Sequence, residues 1–270
     1  MKHPAETGEL EAFRDLYAAA PAGLGAETME IGGAFCYALR SAPTSAMFNR
    51  VLGLGLAAPA TDVGLAAIGR FFAERGVSYG IGLHPDAQPG DLPRRLEQLG
   101  LRTGYAWAKF ERPTDAVPEV RTELRVERVA ADRAADFASV FVRAYGTPPF
   151  FEPWLVELPD RAGWDCFVAY AGDEPAATGA VFTHAGVGWL GMAGTLQEHR
   201  RKGAQSAILA ARIEAARDAG CDVVVTETGA LEEGRPSNSY RNIVRAGFEE
   251  VYVRPNYLSS PAADTSGTSS

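Results

Sequence analysis

One short stretch gathers the residue types needed to hold an anion. Arg200, Arg201, Lys202, Gly203, Ala204, Gln205 and Ser206 read as a tight loop that opens a helix. The first N–H groups of a helix have no intrahelical acceptor. Together with the helix dipole they form an anion site. Gly203 has no Cβ, so the backbone there can approach a ligand closely. Three consecutive bases add positive charge to an acidic half of the chain. A phosphate or pyrophosphate is the natural guest; the plainer reading is a solvated basic helix start. A second candidate is Glu227, in the run VVVTETG near the carboxyl end of a buried strand. A carboxylate there is paired or functional, because burying it alone is expensive. Strand alternation puts Val223, Val225 and Glu227 on one face. It reads as a base or a substrate contact, or else as the partner of an arginine such as Arg241.

The elements that must position these residues follow from periodicity. A strand over 188–195 feeds the loop, and a helix over 204–219 leaves it, with Ala204, Ala207, Ile208, Ala211 and Ala215 on one face. Gly220 stops that helix. A strand over 222–228, a helix over 237–246 and a last strand over 248–254 complete the series. Upstream, a strand over 124–129 precedes a helix over 131–145, then an aromatic loop PPFFEPW over 148–154. Two further strands, 166–171 and 177–183, join 188–195 as an antiparallel meander. The N-terminal half holds a helix over 6–19, strands over 27–40 and 47–56, and a helix from Thr61 and Asp62 to Gly76. A strand over 77–83, a short helix over 92–99 and a strand over 105–110 follow. NRVLGLG over 49–55 contains a G-x-G, but no base follows it, so it reads as a glycine-rich strand end.

The order strand, R-x-x-G-x-Q loop, helix, strand, helix and Arg245-Ala246-Gly247-Phe248 into a last strand resembles the GNAT superfamily of N-acetyltransferases. The resemblance covers roughly residues 123–257. The first half resembles a degenerate copy, ending Leu99-Gly100-Leu101 before a strand and lacking the basic loop. The expected fold is therefore α/β of the α+β kind: two GNAT-like domains, each a mixed, mostly antiparallel sheet flanked by helices. Residues 1–111 form the degenerate domain and 112–121 (RPTDAVPEVR) the linker. Residues 122–257 form the acetyl-CoA-binding domain, and 258–270 a disordered tail.

The resemblance implies acetyl-CoA as co-substrate and direct attack of an amine on its thioester. The pyrophosphate would lie on the N–H groups of Arg201, Lys202, Gly203, Ala204, Gln205 and Ser206. The pantetheine would pair with the backbone of Ala193, Gly194 and Thr195 as an added strand does. The N–H near Ala193 would polarise the thioester carbonyl. Ser239 and Asn242 are expected polar contacts to CoA. Glu227 is the base candidate. The acid that protonates the leaving thiolate is less direct. The family's usual Tyr position is Ile243 here, which leaves Tyr240 one turn earlier as the candidate and Tyr252 and Tyr257 in reserve. Gln205 departs from the family's Gly or Ala. The alternative function is a non-catalytic CoA- or acyl-CoA-sensing protein that has lost its acid.

Composition bounds these readings. The chain has 270 residues, 46% hydrophobic and 22% charged, and a net charge of −8. That excludes wholesale disorder, and no basic stripe for nucleic acid is present. An acidic C-terminal half favours a cationic amine. Cys36, Cys166 and Cys221 are odd in number and far apart, so neither a disulfide framework nor a metal site is expected. The stretch 51–69 is broken by Pro59, Thr61 and Asp62 and is no membrane span. No secretion signal is read at the start, so a cytoplasmic location is expected. Only Lys2, Lys109 and Lys202 are lysines, and with the heavy Ala and Gly usage this points to a bacterial, GC-rich genome. Homodimers are common in the family, and no interface signature is read here.

Overall fold

A computed structural model of the protein describes residues 2–231 and 237–260. In chain order the helices and strands are α1 (Pro4–Ala18), β1 (Ala26–Ile31), β2 (Ala34–Leu39), β3 (Arg50–Leu52), α2 (Asp62–Ala73), β4 (Gly80–Gly82), α3 (Leu92–Gln98) and β5 (Arg102–Pro113). There follow β6 (Arg125–Val129), α4 (Ala134–Tyr145), α5 (Glu152–Leu155), β7 (Trp164–Ala171), β8 (Glu174–His184), β9 (Val187–Thr195), α6 (Ala204–Asp218), β10 (Val223–Gly229), α7 (Asn238–Arg245) and β11 (Glu249–Leu258).

The chain divides into two compact units. One comprises residues up to Pro21 with Ala108–Tyr252; the other comprises Ala22–Trp107 and the residues from Val253. The division does not follow the linear halves expected from the sequence. Helix α1 and residues 108–113 belong with the second half. The last residues of β11 belong with the first. The expected linker begins inside β5, which runs to Pro113.

In the larger unit β6, β7, β8 and β9 form the antiparallel meander. Strand β10 then pairs with β9 in parallel, and β5 lies on its other side. The parallel step is what helix α6 spans: strands of one direction need a crossover. Helix α6 buries Ala204, Ala207, Ile208, Leu209, Ile213 and Ala216. They pack with Phe167, Ala177, Val181, Leu190 and Val224 of the sheet. The PPFFEPW segment is helical rather than a loop, and its aromatics are packed. Trp154 is fully buried, its indole N–H donates to the Leu16 carbonyl, and its ring meets Tyr17 edge-on.

The smaller unit repeats the order. β1 and β2 pair antiparallel, β2 with β3 likewise, and β3 with β4 in parallel across α2. The end of β11 closes the series antiparallel to β4. The single strand expected over 27–40 is a hairpin, because Gly32 and Gly33 both take positive φ and turn the chain. Leu258, expected in the tail, is the last residue of β11 and pairs with Gly80. Residues 261–270 lie outside the described residues. Leu65, Ile68 and Phe72 of α2 pack with Val51, Ile81 and Leu96. All three cysteines are free and buried. Burial pushes the Cys36 thiol up to about 12. Among the described residues no helix is long and apolar enough to cross a membrane.

Candidate active site

The site is built where β9 and β10 part. Their parallel register runs from Val187↔Val223 to Trp189↔Val225. At the next step the Thr226 hydroxyl donates to the Leu190 carbonyl at 3.0 Å. A side chain thus takes the place of a ladder bond. From there to Thr195 strand β9 is bonded to β8, with register Thr178↔Gly194 and Ala177↔Thr195. Between Ala180↔Gly191 and Thr178↔Gly194 the register slips by one residue. Met192 sits in this bulge with φ 49°, a conformation that L residues adopt rarely. Residues Gly191 to Thr195 are half-buried. Ala193, Gly194 and Thr195, singled out from the sequence, therefore lie on the strand end that diverges.

Three features fix this strand end. A Cβ on Gly194 would stand 2.8 Å from the Ala144 Cβ, so its absence is what lets α4 approach. The Tyr145 hydroxyl then donates to the Ala193 carbonyl at 2.7 Å. Beneath the bulge the Arg212 guanidinium is buried. It donates to the carbonyls of Ala180 (3.3 Å), Gly191 (3.2 Å) and Ile208 (3.3 Å). Burial pushes its pKa down to about 10, with Tyr145 opposing the fall; it stays charged near neutrality. Burial raises the Tyr145 pKa, and the Arg212 charge opposes that rise. Neither residue was read from the sequence as part of a site. A signal was present for Arg212: it lies four residues from both Ile208 and Ala216, in the middle of an apolar stripe.

The loop after β9 turns through a short 3-10 helix, Gln197–His199. His199 is buried, and the Lys202 Nζ lies 3.4 Å from its Nδ1. Arg201 takes φ 65° and Gly203 φ 81°. Gly203 is the N-cap of α6, and no side chain caps that helix. The Thr122 hydroxyl donates to the Lys202 carbonyl at 2.8 Å and holds the loop. Arg201 and Lys202 are exposed. An uncapped helix start beside two exposed bases suits a phosphate group. Helix α2, at the matching place in the smaller unit, is the opposite case. Thr61 caps it by accepting from the Gly64 N–H at 3.1 Å, and Asp62 puts a negative charge in its first turn.

Gln205, Ser239 and Asn242 are brought together. The Gln205 amide donates to the Ser239 hydroxyl (3.1 Å) and accepts from the Asn242 amide (2.7 Å). This ties the start of α6 to α7 and accounts for a side chain where Gly or Ala is usual. Glu227 is ion-paired, not with Arg241 but with Lys109, whose Nζ lies 2.7 Å from its Oε2. Lys109 also reaches the Glu9 Oε2 at 2.9 Å. Tyr240 is engaged elsewhere. Its hydroxyl donates to Glu250 at 2.8 Å and its ring meets Phe110 edge-on. The hydrogen bond to Glu250 raises its pKa. Ile243 is core, 3% exposed. Of the reserve tyrosines, Tyr252 donates to Glu6 at 2.7 Å, and Tyr257 is buried in the smaller unit.

Comparison with known proteins follows the same line. Residues 130–234 match the model of the acetyltransferase (GNAT) family. No curated protein matches the sequence. Among solved structures, a GCN5-related N-acetyltransferase from Kribbella flavida is 18% identical, with a TM-score of 0.66 over 94% of this chain and 95% of that one. A GCN5-related N-acetyltransferase from Sphaerobacter thermophilus is 18% identical, with a TM-score of 0.64 over 87% and 83%. A tandem GNAT protein from the clavulanic acid biosynthesis pathway is 16% identical, with a TM-score of 0.59 over 99% and 98%. Residues 130–234 thus form an acetyltransferase (GNAT) family domain, in a chain whose fold is like that of the GCN5-related N-acetyltransferases.

Proposed function

We propose that the larger unit transfers an acetyl group from acetyl-CoA to an amine, and that the smaller unit does not bind the cofactor. The observation that carries this reading is the uncapped start of α6 behind Arg201, Lys202 and Gly203, next to a strand end that has left its parallel neighbour. Pyrophosphate would be held by the N–H groups of residues 201–206. Pantetheine amides would pair with Ala193, Gly194 and Thr195. Ser239 and Asn242 offer further polar contacts from α7. Glu227, near the carboxyl end of β10, would draw the acceptor's ammonium and take its proton, with Lys109 holding the carboxylate in place. The capped, acidic start of α2 supports a smaller unit without a phosphate site.

The test is calorimetric titration of the protein with acetyl-CoA and with free CoA, beside Gly203→Asp. The variant puts a negative charge at the anion site and a Cβ 3.3 Å from the Thr122 Cβ, on backbone of positive φ. Binding by the native chain that the folded variant lacks supports the reading. Equal affinity of the two sinks it.

One observation favours a second reading, a CoA-sensing protein without turnover. Ile243 is core and Tyr240 is committed to Glu250, so the expected acid positions supply none. Binding without thiol release over an amine panel would select that reading.

A further inference from the structure

Resting on the acetyl-transfer reading, we propose that Tyr145, at the end of α4, is the acid that protonates the departing CoA thiolate. The residue comes from a different helix than the one on which the acid is expected. Its hydroxyl lies 2.7 Å from the Ala193 carbonyl, on the stretch of β9 where the thioester should lie. Tyr240 donates to Glu250, Tyr252 donates to Glu6, and Ile243 is core. Tyr145 is instead 57% exposed and reachable by a ligand. Phe141 packs against its ring with centroids 4.9 Å apart, and Gly194 leaves room for it.

The second element is Arg212. Its guanidinium is buried, and its three hydrogen bonds all go to backbone carbonyls. It bonds the Gly191 carbonyl two residues before the carbonyl that Tyr145 holds. The two side chains therefore grip the bulge at Met192 from two helices. A positive charge whose bonds among the described residues go to backbone dipoles attracts negative charge formed nearby, and a water-poor setting strengthens that attraction. Here the charge formed is the phenolate of Tyr145 and, before it, the sulfur.

The step balances as follows. The amine lone pair forms the new C–N bond at the thioester carbonyl carbon. The tetrahedral adduct collapses, the C–S bond breaks, and sulfur keeps the electron pair. The Tyr145 hydroxyl, bonded to the neutral Ala193 carbonyl rather than to a carboxylate as Tyr240 and Tyr252 are, turns from that carbonyl to the sulfur, and its proton passes there and gives free CoA. The nitrogen loses its proton to Glu227 or to solvent, and the Tyr145 phenolate takes one back from solvent. The Arg212 charge favours the phenolate until then. An acid is active only while protonated, so turnover falls as pH rises through its pKa.

The decisive experiment needs no acceptor amine. Free CoA is bound to the native chain and its thiol is titrated by ultraviolet thiolate absorbance, with desulfo-CoA as the blank that cancels protein tyrosines. A phenol hydrogen bond and a buried cation both favour the thiolate, so the bound thiol should ionise at lower pH than free CoA. In Tyr145→Phe it should move back up, with CoA affinity scarcely changed. Should that variant not fold, fluorotyrosine placed at position 145 keeps the ring and the bond but is a stronger acid. The bound thiol should then ionise at still lower pH, and with an acceptor amine that the native chain acetylates the alkaline limb of kcat should move to lower pH as well. Thiol titrations that coincide across these chains overturn the proposal while leaving acetyl-CoA binding intact. A native chain that binds no CoA overturns the acetyl-transfer reading first, and this proposal with it.

Discussion

Lys109 and Glu227 stand 118 residues apart in sequence and 2.7 Å apart in space. The same ammonium reaches Glu9 of α1 at 2.9 Å. Lys109 and Glu9 are shut off from water, while Glu227 keeps 16% of its side chain exposed. One cation thus joins the N-terminal helix to the base candidate.

Replacing Lys109 by Met should be severe. It removes the ammonium that both Glu9 and Glu227 are bonded to. Breaking a buried ion pair from one side costs about 3–5 kcal/mol. Urea unfolding should show a loss of that size. A loss under about 1 kcal/mol, the range of exposed pairs, would mean that the cluster is better hydrated than its burial indicates.

Glu227→Gln preserves shape and leaves Lys109 paired with Glu9. If the carboxylate takes the acceptor's proton, turnover should fall about a hundredfold, within the usual range for a lost general base. Affinity for CoA should scarcely change. A fully active variant removes Glu227 from the mechanism.

Gln205→Ala removes the two side-chain bonds that link α6 to α7. At about 1 kcal/mol for each bond, the loss should be about 2 kcal/mol by chemical denaturation. Ser239 and Asn242 also lose the partner that orients them, so CoA should bind more weakly. Unchanged affinity would mean that neither residue touches the cofactor.

Asp15 gives a pH signature. Burial on its own would raise its pKa, but the bonds from Arg161 and Trp164, at 2.8 Å each, and the Arg161 charge outweigh it. The folded pKa therefore lies below the ordinary value of 3.8. The unfolded chain binds this proton first, so the stabilisation is complete above the ordinary value. It is lost as pH falls through the folded one. Asp15→Asn should lower stability at neutral pH and flatten the acid limb of the stability curve below about pH 4, since the group that titrates there is gone. An acid limb parallel to that of the native chain would show that other carboxylates dominate it.

The sequence by itself determined the local units. The loop from Arg200 to Ser206, the glycine that lets it turn and the helix after it are contiguous, and their backbone groups and dipole act over a few residues. The meander was legible for the same reason, since apolar periodicity and short connections are local. Tertiary structure alone decided which side chains meet. Glu227 was legible as a carboxylate that needed a partner, but Lys109 is brought to it by the pairing of β5 with β10, which no local pattern encodes. Tyr240 lay on the expected helix face, and its hydroxyl went to Glu250. Tyr145 and Arg212 converge on one bulge from two helices separated by three strands. The division of the chain was hidden likewise, because α1 docks on strands β8, β9 and β10 far along the sequence. Spacing along the chain fixes what each segment can form. Only the closing of long loops fixes which buried charge faces which.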